Sequence, residues 1–527
     1  MKRFSLFLSI FLAALAASAQ TNSMSTTREM SLTDCIQEAI QHNLDLQIQR
    51  YNPEFELYNL NGAYGGYDPT FNFAGEHDYN NSGATFQNGQ RILGNEINSD
   101  SFSSSFNGTL PWGTMYDLGG YASSTKGSQG VNSTTTLPVQ NSSGQVGALT
   151  LTQPLLKNFW IDQTRLNIRV GKNRLQYSEE GLRQQLITSV NAVENAYYEL
   201  IYARENVKVQ REALELAQTQ LDQDRQRVEI KVLAERGGTI EQDEAQVATS
   251  KANLIAAQYT RSINENTLKS LLTDDYVHWH DTMIVPTADL KADQQLVDLQ
   301  DSWNKGMTER PDLLQARLNV EQQGIQLKFS YNQLFPSLDL IGSYGYNGSG
   351  EEFGDTFNQF KQADQPFWSY GAKFSMPLSN VGARNNYKAA KVTLKQLLLQ
   401  LKQLEQSVMV EIDNAVKQAQ SSYESVQATQ QARISAETAL DAEQKKYAVG
   451  KSTTFTVLQL QNNLTAARSQ EIRSLADYNE ALANLAAKEG STLERNNITL
   501  DSAPTRITPA PATQATSPTS SPVQGLW

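Results

Sequence analysis

Apolar and polar positions alternate in four short stretches of this chain and recur every three or four residues in two very long ones. From Phe367 to Pro377, Trp368, Tyr370, Ala372, Phe374 and Met376 share one face, and Ser369, Gly371, Lys373 and Ser375 the other. From Ser337 to Asn347, Leu338, Leu340, Gly342, Tyr344 and Tyr346 oppose Asp339 and Ser343. From Thr70 to Tyr79, Phe71, Phe73, Gly75 and Tyr79 oppose Asn72, Glu76 and Asp78. Gln145 to Pro154 is weaker, placing Leu149 and Leu151 against Thr150 and Thr152. Side chains alternate across a strand, so each stretch predicts a strand with one greasy and one wet face. A length of about 9–11 residues with aromatics near the ends suits a tilted outer-membrane strand, and equally a half-buried strand of a soluble sheet.

The long stretches have helical periodicity. One carries Leu401, Leu404, Val408, Ile412, Val416, Ala419, Tyr423 and Val426; the other carries Leu182, Leu186, Val190, Val193, Tyr197, Leu200, Val207 and Leu214. Steps of three and four sustained this far are a coiled-coil or bundle stripe. A helix from about Arg165 to Glu229 would be on the order of 95 Å long, more than a compact domain spans. Each rod breaks once, at Ile230–Thr239 with Gly237-Gly238, and at Tyr447–Thr454. There Gly450 suits a helix end, and Ser452 to Thr454 suit the next start. Both breaks predict helical hairpins whose tips lie far from the strands.

The plan occurs twice. Asn43-Leu44-Asp45-Leu46 and Tyr67-Asp68-Pro69 are matched, at one constant interval, by Arg310-Pro311-Asp312-Leu313 and Leu334-Phe335-Pro336. Val193, Asn195-Ala196 and Val207 match Ile412, Asn414-Ala415 and Val426 at another. A repeat this long is a duplicated half-protein. The expected organisation is a first repeat at 20–290, with a strand pair, an insertion at 80–144 and a helical hairpin at about 160–273. A second repeat at 291–500 has a strand pair at about 336–377 and a hairpin at about 385–489. The insertion holds Phe102, Phe106 and Leu110 among Gly, Ser, Asn and Thr. The favoured reading is an extracellular hairpin; added strands in the wall are the other.

Met1-Lys2-Arg3, an apolar run and Ala17-Ser18-Ala19 read as a cleaved signal peptide over 1–19. The segment 501–527, rich in Pro, Thr and Ser, reads as a disordered tail. Net charge is −12, which disfavours nucleic acid as a partner. No stretch after the signal is apolar enough for a membrane-spanning helix, a test that barrel strands evade. Cys35 is the sole cysteine, so stability rests on packing, and Cys35 itself reads as a small buried side chain. His278-Trp279-His280-Asp281 would put two histidines on one face of a strand, but no further ligand is near, and the expectation is that Trp279 packs between the repeats. There is no nucleophile elbow, P-loop or HExxH pattern. No enzyme activity, cofactor or metal is expected.

Four strands cannot close a barrel, and open edges are not tolerated in lipid. If the strands lie in a membrane, several copies must share one barrel; a trimer would supply twelve strands.

YAVGKSTTFTVLQLQNNL from Tyr447, VEIKVLAERGGTIEQDEAQVA from Val228, LTQPLL from Leu151 and LFPSLDL from Leu334 resemble, in that order, pieces of the TolC-like outer-membrane efflux proteins. The likeness runs from about Leu32 to Glu489. It implies an α+β membrane protein with about four strands per protomer. Its homotrimeric outer-membrane β-barrel would continue into a long periplasmic α-helical coiled-coil barrel. It implies an exit duct of a tripartite efflux or type I secretion system, partnered by a periplasmic adaptor, an inner-membrane pump and outer-membrane lipid. Tyr447 matches the family's gating tyrosine and Gly450 its tip glycine. Thr456 and Gln459 fall where another member carries two carboxylates around the constriction, and Thr239 where it carries a third. Ser452 replaces a basic residue, with Lys451 beside it. Adaptor contact is expected at Gly450, Gly237, Gly238, Val232 and Leu233. A second reading is a secreted or periplasmic coiled-coil scaffold without a pore; a third, resting only on the histidines, is a metal-dependent surface enzyme.

Overall fold

The four longest helices form where Ala, Gln, Leu, Lys and Glu run on without proline. A computed structural model describes residues 27–229, 239–295 and 297–498. Its helices are α1 (Leu32–His42), α2 (Leu44–Tyr64), α3 (Gln163–Glu229), α4 (Thr239–Leu272), α5 (Tyr276–Trp279), α6 (Leu299–Glu309), α7 (Pro311–Asn332), α8 (Phe353–Gln362), α9 (Val381–Ala448), α10 (Thr454–Glu489) and α11 (Thr492–Arg495). Its strands are β1 (Thr27–Met30), β2 (Thr70–Asn81), β3 (Thr85–Gln87), β4 (Gln90–Ile92), β5 (Glu96–Thr109), β6 (Met115–Gly130), β7 (Thr136–Pro154), β8 (Met283–Pro286), β9 (Ser337–Gly350) and β10 (Pro366–Ser375). The expected signal segment, the tail, Val232, Leu233, Gly237 and Gly238 lie outside the described residues. The chain forms two compact units. One holds Leu182–Pro311 with the described residues up to Glu54 and from Ser407; the other holds Phe55–Gly181 and Asp312–Gln406. Both repeats contribute to each.

In the first unit the apolar stripes are buried. Leu186, Val190, Val193, Tyr197, Leu200 and Val207 of α3 are inside, as are Val408, Ile412, Val416, Ala419 and Val426 of α9. Tyr197 anchors the largest described cluster. Its hydroxyl donates to the Met30 carbonyl at 3.1 Å and accepts from the Ala288 N–H at 3.3 Å. A buried phenol needs such partners. β1 and β8 pair in parallel beside it. Cys35 is fully buried there, and burial pushes its thiol up to about 12. Trp279 packs against this cluster with the Arg28 guanidinium 4.8 Å over its ring. The histidines beside it do not share a strand face as expected. Residues 276–279 form a single helical turn capped by Asp275, because Asp275 accepts from the His278 N–H. His278 Nδ1 contacts Asp275, and His280 Nδ1 lies 2.9 Å from Asp281 Oδ1.

The second unit holds a six-stranded antiparallel sheet ordered β10-β9-β7-β6-β5-β2. This corrects the expected count of about four strands, because the segment 80–144 adds β5 and β6 to the sheet. β5 and β6 pair along their length with each other and with β2 and β7. The four strands whose alternation predicts them are all present. β5 was less legible because serines separate its two phenylalanines, yet those phenylalanines lie four residues apart and share one face. A bulge at Gly147, with φ of 58°, inserts one residue into β7. At the sheet's helical end, Asp162 caps α3, accepting from the Arg165 N–H at 2.7 Å and Nε at 2.9 Å. Asn332 accepts from the Asn158 N–H at 2.7 Å and donates to the Leu156 carbonyl, fastening α7 to the same corner.

Candidate functional site at a helical hairpin tip

The turn between α9 and α10 follows from its residues. Gly450 takes φ of 75°, which a side chain disfavours. Its N–H donates to the Tyr447 carbonyl at 3.0 Å, and the Lys451 N–H donates to the Lys446 carbonyl at 2.9 Å. Thr453 then caps α10, accepting from the Thr456 N–H at 3.3 Å. Ser452 and Lys446 donate to the two oxygens of Glu443 at 2.5 and 2.8 Å. Those bonds, Lys446 foremost, hold the Glu443 carboxyl below its ordinary range.

Tyr447, in the last turn of α9, is buried. Its hydroxyl reaches both oxygens of Asp224, on α3 of the first repeat, at 2.7 and 2.8 Å. Thr454 Oγ1 lies 2.8 Å from the same hydroxyl and 3.1 Å from Asp224, and Gln220 Nε2 donates to Asp224 at 3.0 Å. Asp243, on α4, is also fully buried, and its carboxyl accepts from no described donor. Burial first, then the adjacent Asp224, pushes Asp243 up to about 7. Two carboxylates cannot bond each other, but a protonated Asp243 can donate to Asp224. Through that bond the network joins the second hairpin to both helices of the first.

The expected site residues divide. Tyr447 and Gly450 build the turn and its network. Thr456 is partly buried at the cap, while Lys451 and Gln459 are exposed. Thr239 opens α4, and its side chain is outside the described residues. Asp224 and Asp243 were not predicted. In the charged run Asp222–Arg227, read as a solvated face, Asp222, Gln223, Arg225 and Gln226 are exposed but Asp224 is buried. The signal was register: Ala217, Gln220, Leu221 and Asp224 continue the buried stripe of α3.

Further along, polar layers tie the two hairpins. Gln246 and Asn462 exchange amide bonds at 2.7 and 3.1 Å, and Arg468 bridges Glu212 and Glu437. Arg473 bonds Glu199 at 2.7 Å, contacts Asp477 and Glu480, and stacks 4.8 Å over Tyr202.

The profile of the family described as "Outer membrane efflux protein" matches residues 115–273 and 305–491. The chain belongs to the outer membrane efflux protein family. It is similar to the outer membrane protein TolC of Escherichia coli, 25% identical over 373 residues that cover 69% of this chain and 73% of TolC. Its fold is that of the Campylobacter jejuni CmeC outer membrane channel, with a TM-score of 0.63 at 14% identity, covering 89% of this chain and 90% of CmeC. The Vibrio cholerae outer membrane protein VceC gives 0.62 at 16% identity, covering 87% and 96%. As an outer membrane efflux protein, this chain is an exit channel of the outer membrane. Its family is one of channels, not enzymes. That membership overturns the scaffold without a pore.

Proposed function

We propose that three copies of the chain join their sheets into one β-barrel, and that their long helices form a periplasmic α-helical barrel. The hairpin tips close the periplasmic end of this duct, and cargo passes through it without chemistry. The duct serves a tripartite efflux or type I secretion system, in which a periplasmic adaptor and an inner-membrane pump engage the tips. The two repeats of each chain both run from sheet strands into a long helical hairpin, which suits such a quasi-symmetric tube. In this reading Tyr447, Lys451, Ser452, Thr456, Gln459 and Thr239 surround the aperture. Gly450, Gly237, Gly238, Val232 and Leu233 are where the adaptor docks. With Thr456 and Gln459 uncharged, the aperture selects weakly among cations.

One observation carries this reading. The sheet has an apolar face left open, and its outer strands, β2 and β10, are paired on one edge only among the described residues. Unpaired backbone groups in hydrocarbon cost several kcal/mol each, about 2 or more, so lipid admits the sheet only closed. Tyr447 is the latch, because its hydroxyl connects the second hairpin to Asp224 of the first. In planar bilayers Tyr447→Ala should raise single-channel conductance several-fold over the parent. An unchanged conductance removes Tyr447 from the gate, and a protein that never conducts removes the duct.

A further inference from the structure

All six strands of the sheet share two continuous rows. Phe71, Phe106, Leu118, Leu149, Tyr344 and Trp368 are directly paired from β2 across to β10. The adjacent row is Thr70, Asn107, Asp117, Thr150, Ser343 and Ser369, again in direct register. Neighbouring rows face opposite sides, so one side of the sheet is apolar and the other polar from edge to edge. The apolar row is uncovered: Phe71 is 67% exposed, Phe106 41%, Leu118 45% and Trp368 70%. β5 and β6, the strands supplied by the insertion, keep both rows unbroken.

The ends of these two strands agree with a membrane wall. They are joined at the helical end by a tight turn in which the Leu110 N–H donates to the Thr114 carbonyl at 2.8 Å and the Gly113 N–H to the Leu110 carbonyl at 2.7 Å. Gly113 has φ of 94° and lies against Arg165, so the turn sits beside the start of α3. Trp112 in the turn is 61% exposed, as is Trp160 nearby, where aromatic rings suit a lipid–water boundary. At the far end the outward row turns polar through Asp100, Ser124 and Ser142. There α8 covers it: Thr356 Oγ1 lies 2.8 Å from Ser142 Oγ, and a β-carbon on Gly348 would meet the Phe360 ring at 2.6 Å. Between the tryptophan turn and α8 the outward row is apolar or small, through Leu118 and Gly120 on β6 and Phe106 and Ser104 on β5, and Phe102 then packs on Phe353 of α8.

We infer that β5 and β6 are membrane-spanning staves of the wall, so that the trimeric barrel has eighteen strands, β2 of each copy pairing with β10 of the next. This rests on the trimeric duct proposed above. Barrel diameter grows roughly linearly with strand number, so at equal tilt the lumen is about half as wide again as that of a twelve-strand barrel. The added width is lined by Ser101, Ser103, Ser105 and Asn107, short polar side chains that suit a bulky hydrated cargo.

Single-cysteine labelling tests it, since the sole native thiol, Cys35, is buried and Cys35→Ala removes it. In that background, outer membranes carrying Phe106→Cys, Asn107→Cys, Asp117→Cys or Leu118→Cys are treated with a membrane-impermeant maleimide. Trp368→Cys and Ser369→Cys on β10 are the reference pair, and trimer bands on unheated gels check assembly. Asn107→Cys and Asp117→Cys should label at the rate of Ser369→Cys. Phe106→Cys and Leu118→Cys should label at least tenfold more slowly, like Trp368→Cys. Fast labelling at both members of each β5 and β6 pair, with the β10 pair still alternating, overturns the eighteen-strand wall and leaves the duct. Loss of alternation on β10 as well overturns the duct itself.

Discussion

Asp243 is a buried acid whose proton matters to the tip. Its carboxyl is raised from 3.8 to about 7, by burial first and then by Asp224. A raised acid stabilises the folded arrangement fully below its ordinary value, and that contribution is lost as pH climbs to the raised one. The tip packing therefore weakens progressively between about pH 4 and 7, and the loss is complete above that. Open events in planar bilayers should become more frequent from pH 6 to pH 8, and Asp243→Asn should keep the pH 6 behaviour at pH 8. An Asp243→Asn channel that retains the full pH response would assign the effect elsewhere. The tyrosine and glycine of this tip were legible from their place in the helix break. Asp224 was not, because a lone acid within a charged run resembles solvated surface until the helix register is followed through it.

Polar layers between long helices act as register marks, and Arg473 is the most connected of them. It holds Glu199 across to α3 and Glu480 on its own helix. Burial, then Glu199, raises the Glu480 carboxyl to about 7, and Arg473 opposes that shift. Removing the guanidinium leaves the carboxylates uncompensated, at a cost of about 2 kcal/mol after allowing for partial solvent access. The sign with pH follows from the raised acid: without Arg473 it rises further, so the cost is felt above about pH 7 and shrinks when Glu480 is protonated. Arg473→Met should lower the temperature at which the assembled protein dissociates, more at pH 8 than at pH 5.5. Equal shifts at both pH values would contradict this coupling. The helices themselves were readable almost to their ends, since α3 and α9 follow an uninterrupted three–four spacing. The β5 and β6 strands were harder. Serine fills the alternate positions of β5 on both faces, and only strand pairing, a long-range property, places Phe102 and Phe106 beside Ala122 and Leu118.

At the scale of the molecule, one chain leaves exposed what a soluble protein would cover. Phe71, Phe73, Trp368, Tyr370 and Phe374 stand open on one side of a sheet whose other side is polar. A contiguous apolar surface of this kind marks contact with lipid or with another protein. Family membership makes the chain an outer-membrane exit channel, and the sheet supplies a physical reason for it to assemble. Among the described residues its outer strands are paired on one side only, and in the proposed assembly another copy presented at the same register satisfies them. The most direct test is the mass of the particle extracted from outer membranes in mild detergent, measured by multi-angle light scattering with the detergent contribution subtracted. The account predicts a single species of three chains that stays in solution only while detergent is present. A stable single chain, monodisperse in detergent-free buffer, would contradict it.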